Sequence, residues 1–281
     1  MKTSIQKIVP RAIGGTLHAV NTIAPELVGR TCIRLFCTPR EGRLDADDEA
    51  FLSGAAQRGQ LLHPTGPIPY YVWNPAATQS ILLLHGWESN AARWQRLLPY
   101  LLEADLRVIA IDAPAHGASE QRLFDMKRYA DFLHSTMLHF KPDFLLGHSV
   151  GGATAVYYST HYPTPAFKKL VLLGAPSRLE YMMGMMSKAL GLSPNVRASM
   201  NQYFEKKFGL PVHYFSGEQF CESIQIPTLL IHDLQDQVVD VQESIRSHSA
   251  LPQGELLLTE GLGHSLQSPE VFERVISFLK V

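Results

Sequence analysis

Short unbroken runs of apolar residues recur along this chain from about residue 80 to its end. They lie at 81–84, 108–111, 144–146, 170–173, 228–231 and 255–258. The runs are rich in Leu, Ile and Val and lack the alternation of a half-exposed strand, so they predict strands buried on both faces. Two further short strands are predicted at about 60–63 and 69–73, around a turn that contains Pro and Gly.

Apolar residues at helical spacing occupy the intervals between these runs. One stripe consists of Trp94, Leu97, Leu98, Leu101 and Leu102, and a second of Tyr129, Phe132, Leu133, Thr136 and Phe140. A last helix is predicted to begin at Pro269, with Ser268 as its N-cap. Because strands alternate with helices, the predicted fold is α/β, with a doubly wound, mostly parallel sheet flanked by helices.

The spacing of the predicted elements also suggests a domain organisation. Residues 60–176 and 227–281 carry the strands and form the predicted core. Residues 177–226 separate two strands by far more than one crossover needs, and they predict a helical cap inserted over the strand ends. Residues 1–59 predict an N-terminal helical arm packed on the core, and an arm that docks on a membrane surface or a partner remains an alternative.

Amphipathic helices are expected within that arm. Residues 4–35 have an amphipathic pattern that is interrupted at Pro10 and at Pro25.

Composition excludes several classes of function. The 281 residues are 46% hydrophobic and 18% charged, and their net charge of −1 gives no electrostatic footprint for nucleic acid. The sequence predicts no signal peptide, and no apolar run approaches the length of a transmembrane helix. The three cysteines form no CxxC pair, which suits a reducing compartment, and a cytoplasmic protein is therefore predicted. No metal-binding spacing such as H-E-x-x-H occurs, so neither a metal nor a cofactor is predicted.

The stretch FLLGHSVGGAT, residues 144–154, combines a buried strand with glycines on both sides of Ser149. Glycine is unfavourable inside strands and helices, so a requirement for backbone room explains its recurrence here. In a strand that turns directly into a helix, G-x-S-x-G is typical of a nucleophile elbow. Ser149 is therefore the predicted nucleophile.

A serine hydroxyl needs a base, and that base needs a carboxylate that orients it. His264 follows the last predicted strand and precedes the last helix, which makes it the candidate base. The residues after the 228–231 strand offer three candidate acids, Asp233, Asp236 and Asp240. The order of serine, aspartate and histidine along the chain is the one found when an elbow serine lies on this type of sheet.

Five segments make residues 68–281 resemble the α/β-hydrolase family, specifically its small cap-bearing serine hydrolases. The segments are LLLHGW, DAPAHGAS, GHSVGG, PTLLIHDLQDQVV and GLGH. The resemblance implies that Asp236 is the triad acid, with Asp233 as the substitute candidate. It also implies an oxyanion hole formed by the backbone N–H groups of Trp87 and Val150.

The chain departs from the family pattern at three positions outside the implied triad. Asp233 and Ala115 stand where the family usually has glycine, and Asp240 stands where it often has proline. Asp112, His116 and Ser119 imitate a second triad, but a role in stabilising a loop fits them better. His148, beside the nucleophile, is expected to be a packed neighbour.

The predicted function is a serine hydrolase that cleaves a carboxylic ester or thioester through an acyl-enzyme intermediate. The alternatives on the same fold are a carbon–carbon bond hydrolase, an acyltransferase and a perhydrolase, and a catalytically silent binding protein is a fourth. The expected partner is a small acyl substrate of apolar character, for which Met182, Met183, Met185 and Met186 are candidate wall residues. The sequence leaves open whether the protein forms a homodimer.

Overall fold

The computed structural model describes residues 13–162 and 167–280. Within these residues the chain divides into two compact units, which we describe separately. The first comprises residues 13–38 with Arg178–Ser216, and the second comprises Pro39–Ser177 with Gly217–Val281, except for the undescribed positions. The predicted interruption at Pro10 lies outside the described residues.

The second unit contains a mostly parallel sheet. Its eight strands are β1 Gln57–Leu61, β2 Ile68–Trp73, β3 Gln79–Leu84, β4 Leu106–Ile111, β5 Phe144–His148, β6 Lys169–Leu173, β7 Thr228–Asp233 and β8 Gly254–Thr259. They are ordered β1-β2-β4-β3-β5-β6-β7-β8, with β1 and β2 antiparallel to their neighbours and the others parallel. The predicted α/β fold with a doubly wound sheet is confirmed.

The helices of the described residues are α1 (13–21), α2 Pro25–Phe36, α3 Ala46–Ser53, α4 Leu98–Glu103, α5 Met126–Phe140, α6 Val150–His161, α7 Leu179–Leu190, α8 Pro194–Phe208, α9 Gly217–Cys221, α10 Val241–Ala250 and α11 Pro269–Lys280. Short 3₁₀ helices lie at Ala91–Arg96, Val212–Tyr214 and Gly263–Ser265.

Both faces of the sheet are covered, which explains why the central strands are continuously apolar. Ile81 and Leu83 of β3 belong to a core shared with α3, α4 and α11, while Leu82 and Leu84, on the opposite face, are equally buried. The helix α6 lies outside that core and contacts β3, β5 and β6.

The first strand is the one the sequence locates least well. It was expected at about 60–63, but β1 spans Gln57–Leu61 and pairs Leu61 with Ile68. As an edge strand with largely exposed residues, it has no apolar run to mark where it begins.

Two of the predicted helices agree with the structure to different degrees. The stripe that begins at Trp94 is split between the 3₁₀ helix Ala91–Arg96 and the short α4, and Leu102 remains 37% exposed. The last helix agrees with the prediction, since α11 begins at Pro269 and Ser268 Oγ accepts a hydrogen bond from Val271 N at 3.3 Å.

The first unit is helical and joins two parts of the chain that are distant in sequence. A Cβ on Gly29 of α2 would collide with Ser199 O of α8, so glycine permits these backbones to approach closely. Lys206 Nζ pairs with Glu26 Oε1 at 2.6 Å, an exposed contact between the same two helices. The helix α2 begins at Pro25, where the sequence predicted a break.

These units divide the chain differently from the predicted segments. Of the arm predicted at residues 1–59, residues 13–38 lie in the same unit as Arg178–Ser216, and residues 39–59 lie in the unit that contains the sheet. The assignment of a cap to residues 177–226 remains a proposal.

Candidate active site

Ser149 occupies a strained turn between β5 and α6. Its backbone has φ 53° and ψ −126°, a conformation that is costly for any residue with a Cβ. The neighbouring glycines are required by space, because a Cβ on Gly147 would lie 2.5 Å from Gly152 N and one on Gly151 would collide with Leu84 O. The strand therefore passes directly into the helix, with the serine at the sharpest point of the turn.

His264 and Asp236 form a hydrogen-bonded pair beyond the ends of β8 and β7. The Nδ1 of His264 lies 2.7 Å from Oδ2 of Asp236. The Asp236 side chain is fully buried and the His264 side chain is 19% exposed. An imidazole oriented in this way by a buried carboxylate presents Nε2 as a base.

The Asp236 carboxylate is held by further donors. Its Oδ1 accepts hydrogen bonds from the backbone N–H groups of Val238, at 2.8 Å, and Val239, at 2.9 Å. Its Oδ2 also lies 3.2 Å from Nε2 of His232. Burial by itself would raise the pKa of Asp236, but the bonds from His232, His264 and the two backbone groups outweigh burial and lower it. Asp236 is therefore ionised at neutral pH.

His232 was not identified by the sequence. Its Nε2 lies 2.9 Å from Val239 O, and since a carbonyl only accepts, Nε2 carries a proton that it shares with Asp236. Its Nδ1 lies 2.6 Å from Ser244 Oγ. The available signal was a polar side chain at the end of an otherwise apolar buried strand.

Asp233 and Asp240, the other candidate acids, have different partners. Asp233 accepts hydrogen bonds from Gln235 N at 3.0 Å, Thr259 Oγ1 at 2.9 Å and Leu262 N at 2.9 Å. Asp240 is the N-cap of α10 and accepts from Gln242 N at 2.9 Å. The structure thus brings Asp236 to His264, while Asp233 anchors the start of the loop that carries His264.

Ser149 and the His264–Asp236 pair each lie close to the end of β6. Ser149 N donates to Leu173 O at 2.8 Å, which places the serine beside Gly174. A Cβ on Gly174 would lie 3.4 Å from His264 Nδ1 and 3.6 Å from Asp236 Oδ2. Ser149, Asp236 and His264 therefore all lie next to the Leu173–Gly174 segment at the end of β6.

His148 forms a second link between the elbow and the histidine loop. Its Nε2 donates to the backbone carbonyl of His264 at 2.8 Å, and the two rings are 4.8 Å apart. Burial lowers the pKa of His148 well below the ordinary value, so its ring is neutral. A Cβ on Gly86 would lie 2.9 Å from both Ser149 Cβ and His148 Nδ1, so glycine allows the loop after β3 to approach.

The two predicted oxyanion donors directly follow Ser149 and Gly86 in the sequence. Val150 is the first residue of α6, where a backbone N–H has no intrahelical partner. Trp87 follows Gly86, and its half-buried ring packs against His116 at 5.3 Å and Phe124 at 5.5 Å.

Asp112, His116 and Ser119 each stabilise a loop. Asp112 is buried and accepts hydrogen bonds from Ala91 N, Ala118 N and Tyr71 Oη, at 2.9, 2.9 and 3.0 Å. Burial raises the pKa of Asp112 to about 6. His116 Nε2 accepts from Glu88 N at 3.0 Å, and Ser119 Oγ lies 2.5 Å from Gln121 Oε1. With these separate partners, the three residues do not form a triad.

Among residues 13–162 and 167–280, no group of three or more His, Cys, Asp or Glu side chains is arranged to hold a metal ion. Over the same described ranges, the helices fall short of the length and apolar character that crossing a membrane requires.

Comparison with known proteins identifies the class to which this fold belongs. A family model described as the alpha/beta hydrolase fold matches residues 79–212. Over 251 residues the chain is 27% identical to a bifunctional esterase/perhydrolase DCH of Acinetobacter calcoaceticus, covering 72% of this chain and 90% of that relative. It is 26% identical over 242 residues to the monoacylglycerol lipase ABHD6 of Bos taurus, covering 68% of this chain and 72% of the lipase.

A solved structure agrees with this at the level of the fold. The bromoperoxidase from Bacillus anthracis aligns with a TM-score of 0.63 and 21% identity over 80% of this chain and 100% of its own. The chain has the alpha/beta hydrolase fold, and the predicted resemblance to that family is confirmed.

Proposed function

We propose that this α/β-hydrolase cleaves a carboxylic ester or thioester through an acyl-enzyme formed on Ser149. Two of its relatives are an esterase/perhydrolase and a monoacylglycerol lipase, so action on ester bonds is the level of function that the comparisons support. The substrate that we propose is a small acyl compound with an apolar acyl group.

Each residue of the site has a role in the proposed reaction. Ser149 Oγ attacks the acyl carbon while His264 takes the hydroxyl proton, and His264 then returns that proton to the leaving alcohol or thiol. Water attacks the acyl-enzyme in the same way and releases the acid. The buried carboxylate of Asp236 orients the imidazole and stabilises the imidazolium that forms in each step.

The oxyanion of each tetrahedral intermediate requires two donors. We assign these to the backbone N–H groups of Val150, the first residue of α6 after Ser149, and of Trp87, which follows the close approach of Gly86 to Ser149. In such sites the loss of one donor costs about 3–4 kcal/mol of transition-state stabilisation. The loop after β3 is therefore nearly as important to the proposed rate as the triad.

One observation carries the proposal. The 2.7 Å contact between His264 Nδ1 and Asp236 Oδ2 lies at the sheet edge where Ser149 is held at a positive φ. A hydrogen-bonded acid–base pair beside a strained serine is the arrangement that turns an alcohol into a nucleophile.

Labelling with a fluorophosphonate probe tests the nucleophile. The folded protein should react at Ser149, and Ser149→Ala should abolish labelling while changing stability by no more than about 1–2 kcal/mol. Absence of labelling in the folded wild type, or labelling of Ser149→Ala at the wild-type rate, would contradict the proposal.

A series of p-nitrophenyl esters of graded chain length tests the substrate class, with Ser149→Ala as the blank. A rising kcat/KM with chain length would support the proposed apolar acyl group. Uniformly feeble turnover of every ester, despite labelling of Ser149, would count against ester hydrolysis.

Perhydrolysis is a second candidate, favoured by the relative that has both activities. In this reaction hydrogen peroxide replaces water as the nucleophile toward the acyl-enzyme and releases a peracid. The test is incubation with a short-chain ester and peroxide, in which the peracid is detected by oxidation of an added thioether. Formation of acid alone at every peroxide concentration would exclude this activity.

A further inference from the structure

His85 and His116 connect two loops by reciprocal hydrogen bonds, since each ring accepts a bond from the loop that carries the other. His85 follows β3, and its Nε2 lies 2.9 Å from Ala113 N of the loop after β4. His116 belongs to the loop after β4, and its Nε2 lies 3.0 Å from Glu88 N of the loop after β3. Both rings are fully buried and their centres are 5.5 Å apart. We call these two residues the histidine clasp.

The partners of each ring define its tautomer. The Nδ1 of His85 lies 2.8 Å from Gly86 O, and the Nδ1 of His116 lies 2.9 Å from Pro114 O. Because carbonyl oxygens only accept, both Nδ1 atoms must carry the proton. Both Nε2 atoms face backbone N–H groups and must therefore be unprotonated acceptors. The clasp requires two neutral imidazoles.

The clasp encloses the peptide group that contains the proposed oxyanion donor. The Gly86 carbonyl, which accepts from His85 Nδ1, and the Trp87 N–H belong to the same peptide group. A trans peptide is planar, so fixing the direction of its carbonyl fixes its N–H in the opposite direction. On the far side of Trp87, the bond from Glu88 N to His116 holds the next peptide. Glu88 has φ 51°, a conformation that this contact helps to maintain.

We propose that His85 and His116 are positioning residues that, as neutral imidazoles, aim the Trp87 N–H at the oxyanion. This inference rests on the proposed function, because it concerns the same acyl-transfer site. It gives the loop after β4, which contributes no predicted triad residue, a role in the rate of reaction.

The surroundings of the clasp favour its neutral form. Burial is the main cause that lowers the pKa of each histidine, while the Nδ1 hydrogen bonds to Gly86 O and Pro114 O act to raise it. The positive charges of Arg93, near His85, and Arg43, near His116, also lower the pKa. The proximity of His116 also lowers the pKa of His85. Glu88 acts in the opposite direction on His116 without outweighing burial. Tyr129 packs its ring 6.0 Å from that of His85 and donates its hydroxyl to His85 O at 3.3 Å.

Protonation of either ring would break the clasp. A proton on Nε2 would face the backbone N–H that this atom now accepts, so donor would oppose donor. Acid should therefore release the Trp87 peptide at a pH below the ordinary histidine value of about 6.5.

Two substitutions of His116 separate positioning from packing. In His116→Gln the amide oxygen reaches the position of Nε2 and accepts from Glu88 N without titrating. In His116→Phe an aromatic ring still fills the space, but the acceptor is removed. We expect His116→Phe to lower kcat by about 10- to 100-fold with little change in KM, as an impaired oxyanion donor should. His116→Gln should restore most of that loss, and His134→Gln, a matched control on α5, should behave as wild type.

The pH profile provides a readout that packing alone would not change. In the wild type, kcat should fall below about pH 6.5 more steeply than protonation of a single base predicts. The fall should be shallower in His116→Gln and unchanged in His134→Gln. Thermal unfolding measured at each pH identifies any loss of activity that is due to unfolding.

The outcomes distinguish this inference from the proposed function. If the wild-type protein is neither labelled by the fluorophosphonate nor cleaves esters, the proposed function fails. In that case, nitrogen chemical shifts that show the Nδ1–H tautomer in both rings would still support the clasp. If wild type is active and folded His116→Phe retains its kcat and pH profile, the clasp inference is wrong while the proposed function stands. A cationic or Nε2–H state of either histidine at neutral pH would also overturn the clasp.

Discussion

His148 donates a hydrogen bond from Nε2 to the backbone carbonyl of His264, across 2.8 Å. The residue that precedes the proposed nucleophile is thus bonded to the residue that we assign as the base. The expectation that His148 is a packed neighbour is incomplete, because packing alone would not require this donor. Through this bond the end of β5 and the loop after β8 are held at a fixed distance.

We predict that His148→Phe lowers kcat about 5- to 10-fold, since a single hydrogen bond contributes about 0.5–1.5 kcal/mol. His148→Gln, which places an amide N–H near the position of Nε2, should retain more activity. The measurement is ester turnover with KM and kcat separated. Equal rates for His148→Phe and wild type would show that the bond to His264 has no influence on catalysis.

The partners of Asp236 and Asp233 predict opposite phenotypes. Asp236→Asn should reduce kcat on the order of 10⁴-fold, because an amide cannot stabilise the imidazolium of His264. Asp233→Asn should cost about 1–3 kcal/mol of unfolding free energy, because its amide nitrogen would oppose a backbone donor. Its kcat should change by less than about 10-fold. Turnover and urea unfolding measure the two effects, and the reverse pattern would show that the acid is assigned wrongly.

His232 is predicted to matter for the orientation of Asp236. His232→Phe removes the donor shared by Asp236 and Val239, and we expect kcat to fall about 5- to 10-fold. Ser244→Ala removes only the partner of Nδ1, so it should lower stability and leave kcat close to wild type. Equal activity of both variants would limit His232 to a structural role.

The positive φ of Ser149 predicts that the nucleophile position is a source of instability. Ser149→Gly should unfold with a free energy about 1 kcal/mol greater than Ser149→Ala, because glycine adopts positive φ without strain. Ala153→Gly, at an ordinary position within α6, should instead lose about 1 kcal/mol. Urea denaturation of the three variants tests this, and equal stability of the two Ser149 variants would mean that little strain is stored there.

The buried histidines predict how stability depends on pH. Burial lowers the pKa of His85, His116 and His148, whereas histidines in the unfolded chain titrate near about 6.5. Below that pH the unfolded state binds more protons, so the free energy of unfolding falls by about 1.4 kcal/mol per pH unit for each histidine.

Asp112 changes the pH dependence of stability in the opposite direction. Its pKa is raised from 3.8 to about 6, so the folded carboxyl takes up its proton before the unfolded one and stability rises as pH falls through that interval. Three histidines outweigh one carboxyl, and a net loss of stability toward acid is expected in denaturant titrations. Asp112→Asn should steepen that loss; stability that is constant from neutral pH to about pH 5 would contradict the prediction.

Features that arise within a few adjacent residues were predictable. The elbow is one of them, because Gly147 and Gly151 are needed by the serine between them. The start of α11 is another, because Ser268 and Pro269 act on the turn that they begin. The edge strand β1 was located poorly, since exposed residues such as Gln57 and Arg58 carry no burial pattern.

Contacts between loops were harder to predict from the sequence. The residues alone left Asp233, Asp236 and Asp240 as candidates, and the choice of Asp236 came from the family resemblance. The three lie on one short loop, and a difference of a few residues decides which carboxylate reaches His264. Likewise, the motifs contain His85, His116 and His148, but the local sequence does not tell which backbone groups these histidines or His232 contact.

The sequence by itself determined the parallel sheet and the strained serine between β5 and α6, because apolar runs and glycine spacing act over a few residues of backbone. Only the tertiary structure decided which acid contacts His264 and which histidines hold the loops. The physical reason is that these hydrogen bonds depend on how the ends of β3, β4, β7 and β8 converge in space. The packing of the whole sheet sets that convergence, and no single segment of the sequence determines it.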